Sequence, residues 1–348
     1  MADGRNTNGD DRRERAPGGR FTGRTARAVV LLVLAGLAAL AVVVASCQGG
    51  DGDRGAGGPG RSPSPGQSTP GSPGTGGPVL AVKLDNAPVA RPHTGLERAD
   101  VVYVEQVEAG LTRLLAVYTP DHLPPTVGPV RSARESDIEL LRQYGEPVLA
   151  YSGAQSRLMP LLRAAPVHLL SPADAPGAFS RAPERPAPHN LYLDPRAALR
   201  AAPDAKSELA GNGFRYGPAP EGGRADAEES VRFPGSRTTF TWSAAENRWL
   251  VSLDGAPART TGGDRLGPLT AVIQYVTVRP SRFQDRGGSV SPYTETTGSG
   301  RALVLRDGRA YEARWSRPGP EDGTVFTARG GERMTFARGQ VWVVLAPR

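Results

Sequence analysis

The side chains able to do chemistry are concentrated between positions 83 and 190. Lys83, Asp85 and Asn86 close an apolar strand, and Glu105 and Arg113 flank a short turn. Arg131, Ser132 and Arg134 cluster at a predicted helix start, and His189-Asn190 follow Arg181 and Arg185 in a proline-rich stretch. Guanidinium groups beside the free N–H groups of a helix start suit a carboxylate or a phosphate, so these residues form a candidate ligand-binding set. The same charges have a second use, because charged groups on apolar faces are stable only when paired. On that reading Arg131 and Arg134 pair with Asp85, Glu105 or Asp137, and Glu105 with Arg113 is a structural pair that fixes register. A carboxylate, Glu105 or Asp85, set against His189 would instead suit acid–base catalysis. Hydrogen bonding within the loop is the other use of His189-Asn190.

Other chemistries lack their residues. There is no G-x-S-x-G elbow, P-loop, dinucleotide fingerprint or H-E-x-x-H, so no catalytic set is assigned and no cofactor is expected. The four histidines stand at 93, 122, 168 and 189, without metal-ligand spacing, and no metal site is expected. The net charge of +7 does not indicate nucleic acid as a partner. Seven arginines and four acids lie in the first 27 residues, leaving about +4 for the remainder, with no basic run interleaved with aromatics.

The elements that must position these groups can be read from period and punctuation. Val79 to Leu84, Val101 to Val107 and Leu111 to Tyr118 are strands. Glu108-Ala109-Gly110 closes a hairpin, and a left-handed glycine there sets Val107 against Leu111, Glu105 against Arg113, Tyr103 against Leu115 and Val101 against Val117. These side chains share one core-facing side. Ser132-Ala133-Arg134-Glu135 has the form of a capping box, predicting a helix over 133–144 with Ile138, Leu141 and Tyr144 inward. A strand at 147–152, a helix at 154–163, a short strand at 168–170 and a helix capped by Asp194 follow. Beyond a polar glycine-rich stretch the pattern is strand only, with Asp-Gly hairpin turns at 254–255 and 307–308. The fold class expected is α+β: a mixed α/β domain over 79–215, a linker at 216–230, and a small antiparallel all-β domain over 231–348.

The first 78 residues give an address. Residues 28–45 are an uninterrupted apolar run preceded by Arg20, Arg24 and Arg27, as in a secretory signal. It ends in Val44-Ala45-Ser46-Cys47, which resembles a bacterial lipobox, and Cys47 is the only cysteine. Residues 1–47 therefore read as a lipoprotein signal peptide ending at a lipidated Cys47, which places the chain on the outer face of the cytoplasmic membrane. Residues 48–78, almost wholly Gly, Pro, Ser and Thr, form a disordered tether whose coil span is roughly 30 Å.

Several spaced motifs carry a resemblance. Val82-Lys83-Leu84-Asp85-Asn86, Arg91-Pro92, Gly95-Leu96, Ala99 to Tyr103, Gly110 to Arg113 and Gly128 to Arg134 resemble the YerB-like lipoproteins, catalogued as domain of unknown function 3048. Ala187 to Tyr192, Gly298-Ser299-Gly300 and Gly339 to Trp342 are similar to the same family. The resemblance implies an extracytoplasmic lipoprotein in two family parts, without an assigned reaction. The function expected is a cell-envelope binding or scaffolding module for an anionic wall polymer or a cell-wall protein; an envelope hydrolase or transferase using an acidic residue with His189 is the alternative. Replacing Cys47 by Ala should release the protein from membranes or leave an unprocessed precursor, as fractionation and the mass of the mature chain would report. Full membrane retention of a processed form would contradict the address.

Overall fold

The computed structural model describes residues 76–285 and 287–348; the signal peptide, Cys47 and nearly all of the 48–78 tether lie outside the described residues. The three apolar runs of the first region form strands β1 (Leu80–Asp85), β2 (Val101–Gln106) and β3 (Thr112–Tyr118). The register is the expected one, with Val101 opposite Val117, Tyr103 opposite Leu115 and Glu105 opposite Arg113. The turn uses left-handed backbone at Ala109 as well as Gly110. Gly110 is also a point of close approach, since a Cβ there would lie 2.5 Å from the Gly235 nitrogen. β1 pairs on the far side of β3 with Asp85 opposite Arg113, so Glu105, Arg113 and Asp85 form one row across the sheet.

Helix α1 (Glu135–Leu141) is shorter than the predicted one and is capped differently. The Arg134 N–H donates to the Asp137 carboxylate at 2.6 Å, while Glu135 accepts the Ser281 hydroxyl at 2.5 Å. The expected Ser132–Glu135 box is thereby corrected. The physical reason lies just upstream: the Arg131 N–H donates to Lys83 O and the Ala133 N–H to Gly153 O, which holds 131–133 extended. β4 (Val148–Ala150), helix α2 (Met159–Ala164) and β5 (His168–Leu170) extend the sheet in parallel beyond β1. Helix α3 (Pro195–Arg200) starts as predicted, Asp194 accepting from the Arg196 and Ala197 N–H groups.

The second region supplies β6 (Glu228–Phe233), β7 (Ser236–Ser243), β8 (Arg248–Leu253) and β9 (Thr270–Val276). After them come β10 (Val278–Gln284), β11 (Val290–Thr294), β12 (Gly298–Arg306), β13 (Arg309–Arg317), β14 (Val325–Ala328) and β15 (Val341–Pro347). The expectation of an antiparallel all-β domain is corrected here. β15 lies parallel between β9 and β2, pairing Val341 with Thr270 on one side and with Val101 on the other. Strands from both sides of the 216–230 stretch therefore share an 11-stranded sheet, whose order includes β13-β12-β9-β15-β2-β3-β1-β4-β5. Composition explains the insertion: β15 reads VWVVLAP and six of its seven residues are buried. A strand apolar on both faces needs a neighbour at each edge and a layer on each side.

One face of the sheet, bearing Tyr103, Leu115, Val117 and Val343, packs with Leu140, Tyr144, Leu158 and Leu162. The other, bearing Val82, Leu114, Trp342 and Val344, packs on Phe240, Trp249 and Val251 of the β6–β8 sheet, with Phe240 edge-on to Trp342 at 6.2 Å. A chain ending after residue 215 should therefore expose the β2 edge and fail to melt cooperatively, and supplying residues 216–348 in trans should restore a sharp transition. Cooperative, monomeric melting of the shortened chain alone would show that β15 is dispensable.

Candidate functional site

Beside the amino end of β3, where β1 and β2 finish, lies a cleft of about 480 Å³. Its floor is Arg113; Arg131 to Glu135 form one wall, and Ser281, Phe283 and Ser291 of the β10–β11 ribbon form a second. Ser152 to Gln155 and Leu158 close one end, with Arg181, Pro188 and Leu191 above. Three predicted ligand-binding residues, Arg131, Ser132 and Arg134, thus line one cleft, joined by Arg113, for which a purely structural role was expected.

Most charges around the cleft are satisfied internally. Asp85 Oδ2 lies 3.0 Å from Arg131 Nε and 2.7 Å from His189 Nδ1, and Oδ1 accepts the Ala87 N–H. Burial alone would raise the Asp85 pKa, but the Ala87 N–H, His189 and Arg131 together hold it below the ordinary value. Arg134 forms a fork with Glu108, both bonds at 2.7 Å, and the Ser291 hydroxyl donates to the same carboxylate. Burial opposes ionisation of Glu108 too, yet Arg134 and Ser291 hold its pKa at about 2. Asp85 was among the partners expected for Arg131, whereas Glu108 was not among those expected for Arg134.

The expected Glu105–Arg113 pair is corrected. The two residues are cross-strand neighbours, but Glu105 is ion-paired with Lys83, whose Nζ reaches across β3 to within 3.0 Å of Oε1. Lys83 also donates to Asp137 Oδ1 at 2.6 Å, and these three groups are at most 2% exposed. Lys83 therefore lies beneath the cleft rather than in it. One ammonium between two buried carboxylates leaves a surplus negative charge. Burial is the main cause that pushes the Glu105 pKa up, to about 7, and Asp137 adds to the rise against the pull of Lys83.

Arg113 is what this rearrangement leaves over. It is 8% exposed, and its Nη1 donates to Ser132 O at 2.9 Å. Among the described residues no carboxylate lies within 4.0 Å of it, since Asp85, Glu105 and Glu108 are each paired elsewhere. Burial, then the Arg134 charge, lowers its pKa to about 10, so it remains cationic at neutral pH. Asn86 is turned away from the cleft, donating to Thr112 and accepting from Arg91. Asn190 is buried and accepts from Arg181 Nη1 at 2.7 Å, fixing the loop that also carries His189. Sequence reasoning missed Glu108, which looked like a turn residue, and the ribbon's Ser281 and Ser291, for which the sequence carries no signal. Asp137 was legible only as a possible Arg partner, although its place three residues after Arg134 is that of a helix-capping carboxylate.

Two sequence profiles match this chain: "Protein of unknown function (DUF3048) N-terminal domain" over residues 66–208, and its C-terminal counterpart over 230–343. "Putative lipoprotein YerB" of Bacillus subtilis (strain 168) is 25% identical over 276 residues, which covers 77% of this chain and 81% of that protein. The crystal structure of the YerB protein from Bacillus subtilis shares the fold, with a TM-score of 0.65 at 21% identity, covering 78% of this chain and 91% of that one.

The buried triad has a pH signature. Because the Glu105 pKa is raised from 4.5 to about 7, the folded state holds a proton that the unfolded state releases. Its contribution to stability is complete below the unfolded value and is lost as pH rises through that interval. Glu105→Gln should flatten the dependence of the urea midpoint between these pH values. Lys83→Met, which strands two carboxylates, should cost about 3–5 kcal/mol at pH 7. An unchanged pH slope in Glu105→Gln would show that the surplus charge is relieved elsewhere.

Proposed function

The chain belongs to the DUF3048 family, and from that premise we propose that it is a lipoprotein held through Cys47 on the outer face of the cytoplasmic membrane, where its cleft binds an anionic group of a wall polymer or cell-wall protein. The relative named as a lipoprotein supports the anchoring, and the signal-like leader before Cys47 supports the outward address. The binding role rests on one observation: Arg113 is a buried guanidinium lining a cleft, and among the described residues no carboxylate lies within 4.0 Å of it.

A buried unpaired charge costs several kcal/mol of desolvation. A carboxylate or phosphate entering the cleft would offset that cost with a charge-assisted fork. Arg131 and Arg134, each already neutralised, shape the walls and keep competing carboxylates away from Arg113. Ser132, Ser152, Gln155 and Gln284 add neutral hydrogen-bonding groups, and Leu158 and Phe283 add apolar surface. The volume lies in the range of small-molecule sites and is sufficient for a charged unit of a larger polymer.

The distance of 2.7 Å between His189 Nδ1 and Asp85 favours a second reading, an envelope hydrolase or transferase in which Asp85 orients His189. His189 stands outside the cleft lining and Asp85 is shared with Arg131, which makes binding the better-supported reading. Under the catalytic reading, His189→Ala would abolish release of label from purified walls without altering affinity for them.

Arg113→Gln separates a binding role from a structural one. If Arg113 serves a ligand, the variant should melt at or above the wild-type temperature, because a buried unpaired charge has gone. Its affinity for oligogalacturonate or inorganic phosphate in calorimetry should fall at least tenfold, with a shallower salt dependence. Unchanged affinity, or a markedly lower melting temperature, would remove the proposal.

A further inference from the structure

The opposite face of the large sheet carries a second concentration of positive charge, at the end where β9 finishes and β12 begins. Arg301 on β12 and Arg314 on β13 are directly opposed across the strand pair, and both are exposed. Neither is ion-paired among the described residues; the nearby Glu312 lies 3.8 Å from Arg329 instead. Like charges directly opposed on neighbouring strands destabilise a sheet. The Arg301 guanidinium lies 5.2 Å from the centroid of the Tyr275 ring, and Arg348 Nη2 donates to Ser299 O at 2.7 Å. Ser299 and Ser316 form the next opposed pair along the strands, and both are exposed. Further along, the same face is covered: Ile273, Leu305 and Ala310 belong to the core shared with Trp249 and Val251. The covering layer stops short of the arginines.

We propose that this uncovered end is a second binding surface, separate from the cleft, and that its occupant is a phosphodiester-linked polymer. Two guanidinium groups held side by side at strand spacing can share one phosphodiester, each taking one of its two non-bridging oxygens while the ester oxygens on the tetrahedral phosphorus carry the chain away out of that plane. A planar carboxylate is satisfied by one fork. An anion between Arg301 and Arg314 turns their repulsion into a shared attraction, with the Tyr275 ring supporting one guanidinium. The next row of donors, the serine pair with Arg348 beside it, stands two residues further along the strand, at about 7 Å. A chain with a short polyol spacer between phosphates would set successive anions on the two rows.

The test is binding of a fluorescent, phosphodiester-linked glycerol oligomer to the full chain in detergent, followed by anisotropy. Arg301→Gln and Arg314→Gln should each weaken binding about tenfold, and each should raise the melting temperature without oligomer by relieving the opposed charges. Repeating both substitutions in the Arg113→Gln background, where the cleft guanidinium no longer contributes, should give the same tenfold losses, so failure of the cleft reading and failure of this one are separable. Undiminished binding by Arg314→Gln would overturn the proposal, as would a lower melting temperature in both variants, which would assign the arginines to the fold. Equal affinity for polygalacturonate would reduce the surface to a general polyanion site. Preferential capture of phosphatidylglycerol vesicles over the oligomer would assign it to the membrane instead; either result overturns the occupant named here.

Discussion

Lys83 is fully buried in the middle of a sheet, and its ammonium is the first link of a chain that organises the cleft. Its Nζ holds one oxygen of Asp137, and the other oxygen of that carboxylate accepts the Arg134 N–H at the start of α1. The Arg134 side chain grips Glu108 in the β2–β3 turn, and Glu108 takes the Ser291 hydroxyl of the ribbon. Four elements distant in sequence are thereby fixed to one another by charge-assisted bonds in a low-dielectric setting, where such bonds are strong and their loss is costly. Together with Arg131 and His189, which hold Asp85, the arrangement leaves no carboxylate within 4.0 Å of Arg113 among the described residues, and that guanidinium borders the cleft. The binding role proposed above would in this sense be a by-product of how the scaffold distributes its own charges.

The second organising constraint is the placement of β15. A strand apolar on both faces requires an interior position, and the interior position available is beside β2. Gln340 reinforces the junction by donating to Leu96 O and Ala99 O, with its own Oε1 accepting the Trp342 indole N–H. The two family-matched regions are joined through a continuous hydrogen-bonded ladder. The ribbon wall of the cleft belongs to the second region and the arginines to the first, so the cleft needs both.

Legibility in the sequence followed the range of the interaction. The β2–β3 register was readable because a turn of fixed geometry and a two-residue period determine it locally, and the Asp307-Gly308 hairpin and the Asp194 cap were readable for the same reason. The ion pairs were not. Strand opposition placed Glu105 beside Arg113, but which cation a buried carboxylate chooses depends on side-chain reach across a third strand, and that strand is fixed only by the tertiary fold. The capping box failed similarly, because strand-like bonds from Lys83 and Gly153 kept its serine extended. The parallel insertion of β15 had no local signature; its apolar run was consistent with any doubly buried strand. The grouping of Arg131, Ser132 and Arg134 was legible, while the ribbon that closes over them was not.

The position of β15 also sets an order of events. The last strand made pairs with one of the first, Val341 with Val101, at the centre of the sheet. Contacts between residues so far apart form slowly, because a long loop must close before any of them is gained. A chain that leaves the ribosome amino end first has β1–β3 free well before β15 follows. During that interval the β2 edge and both faces beside it are bare, with a template for strand pairing exposed to neighbouring chains. The design thus places the greatest demand for folding assistance in the interval between the emergence of β2 and that of β15.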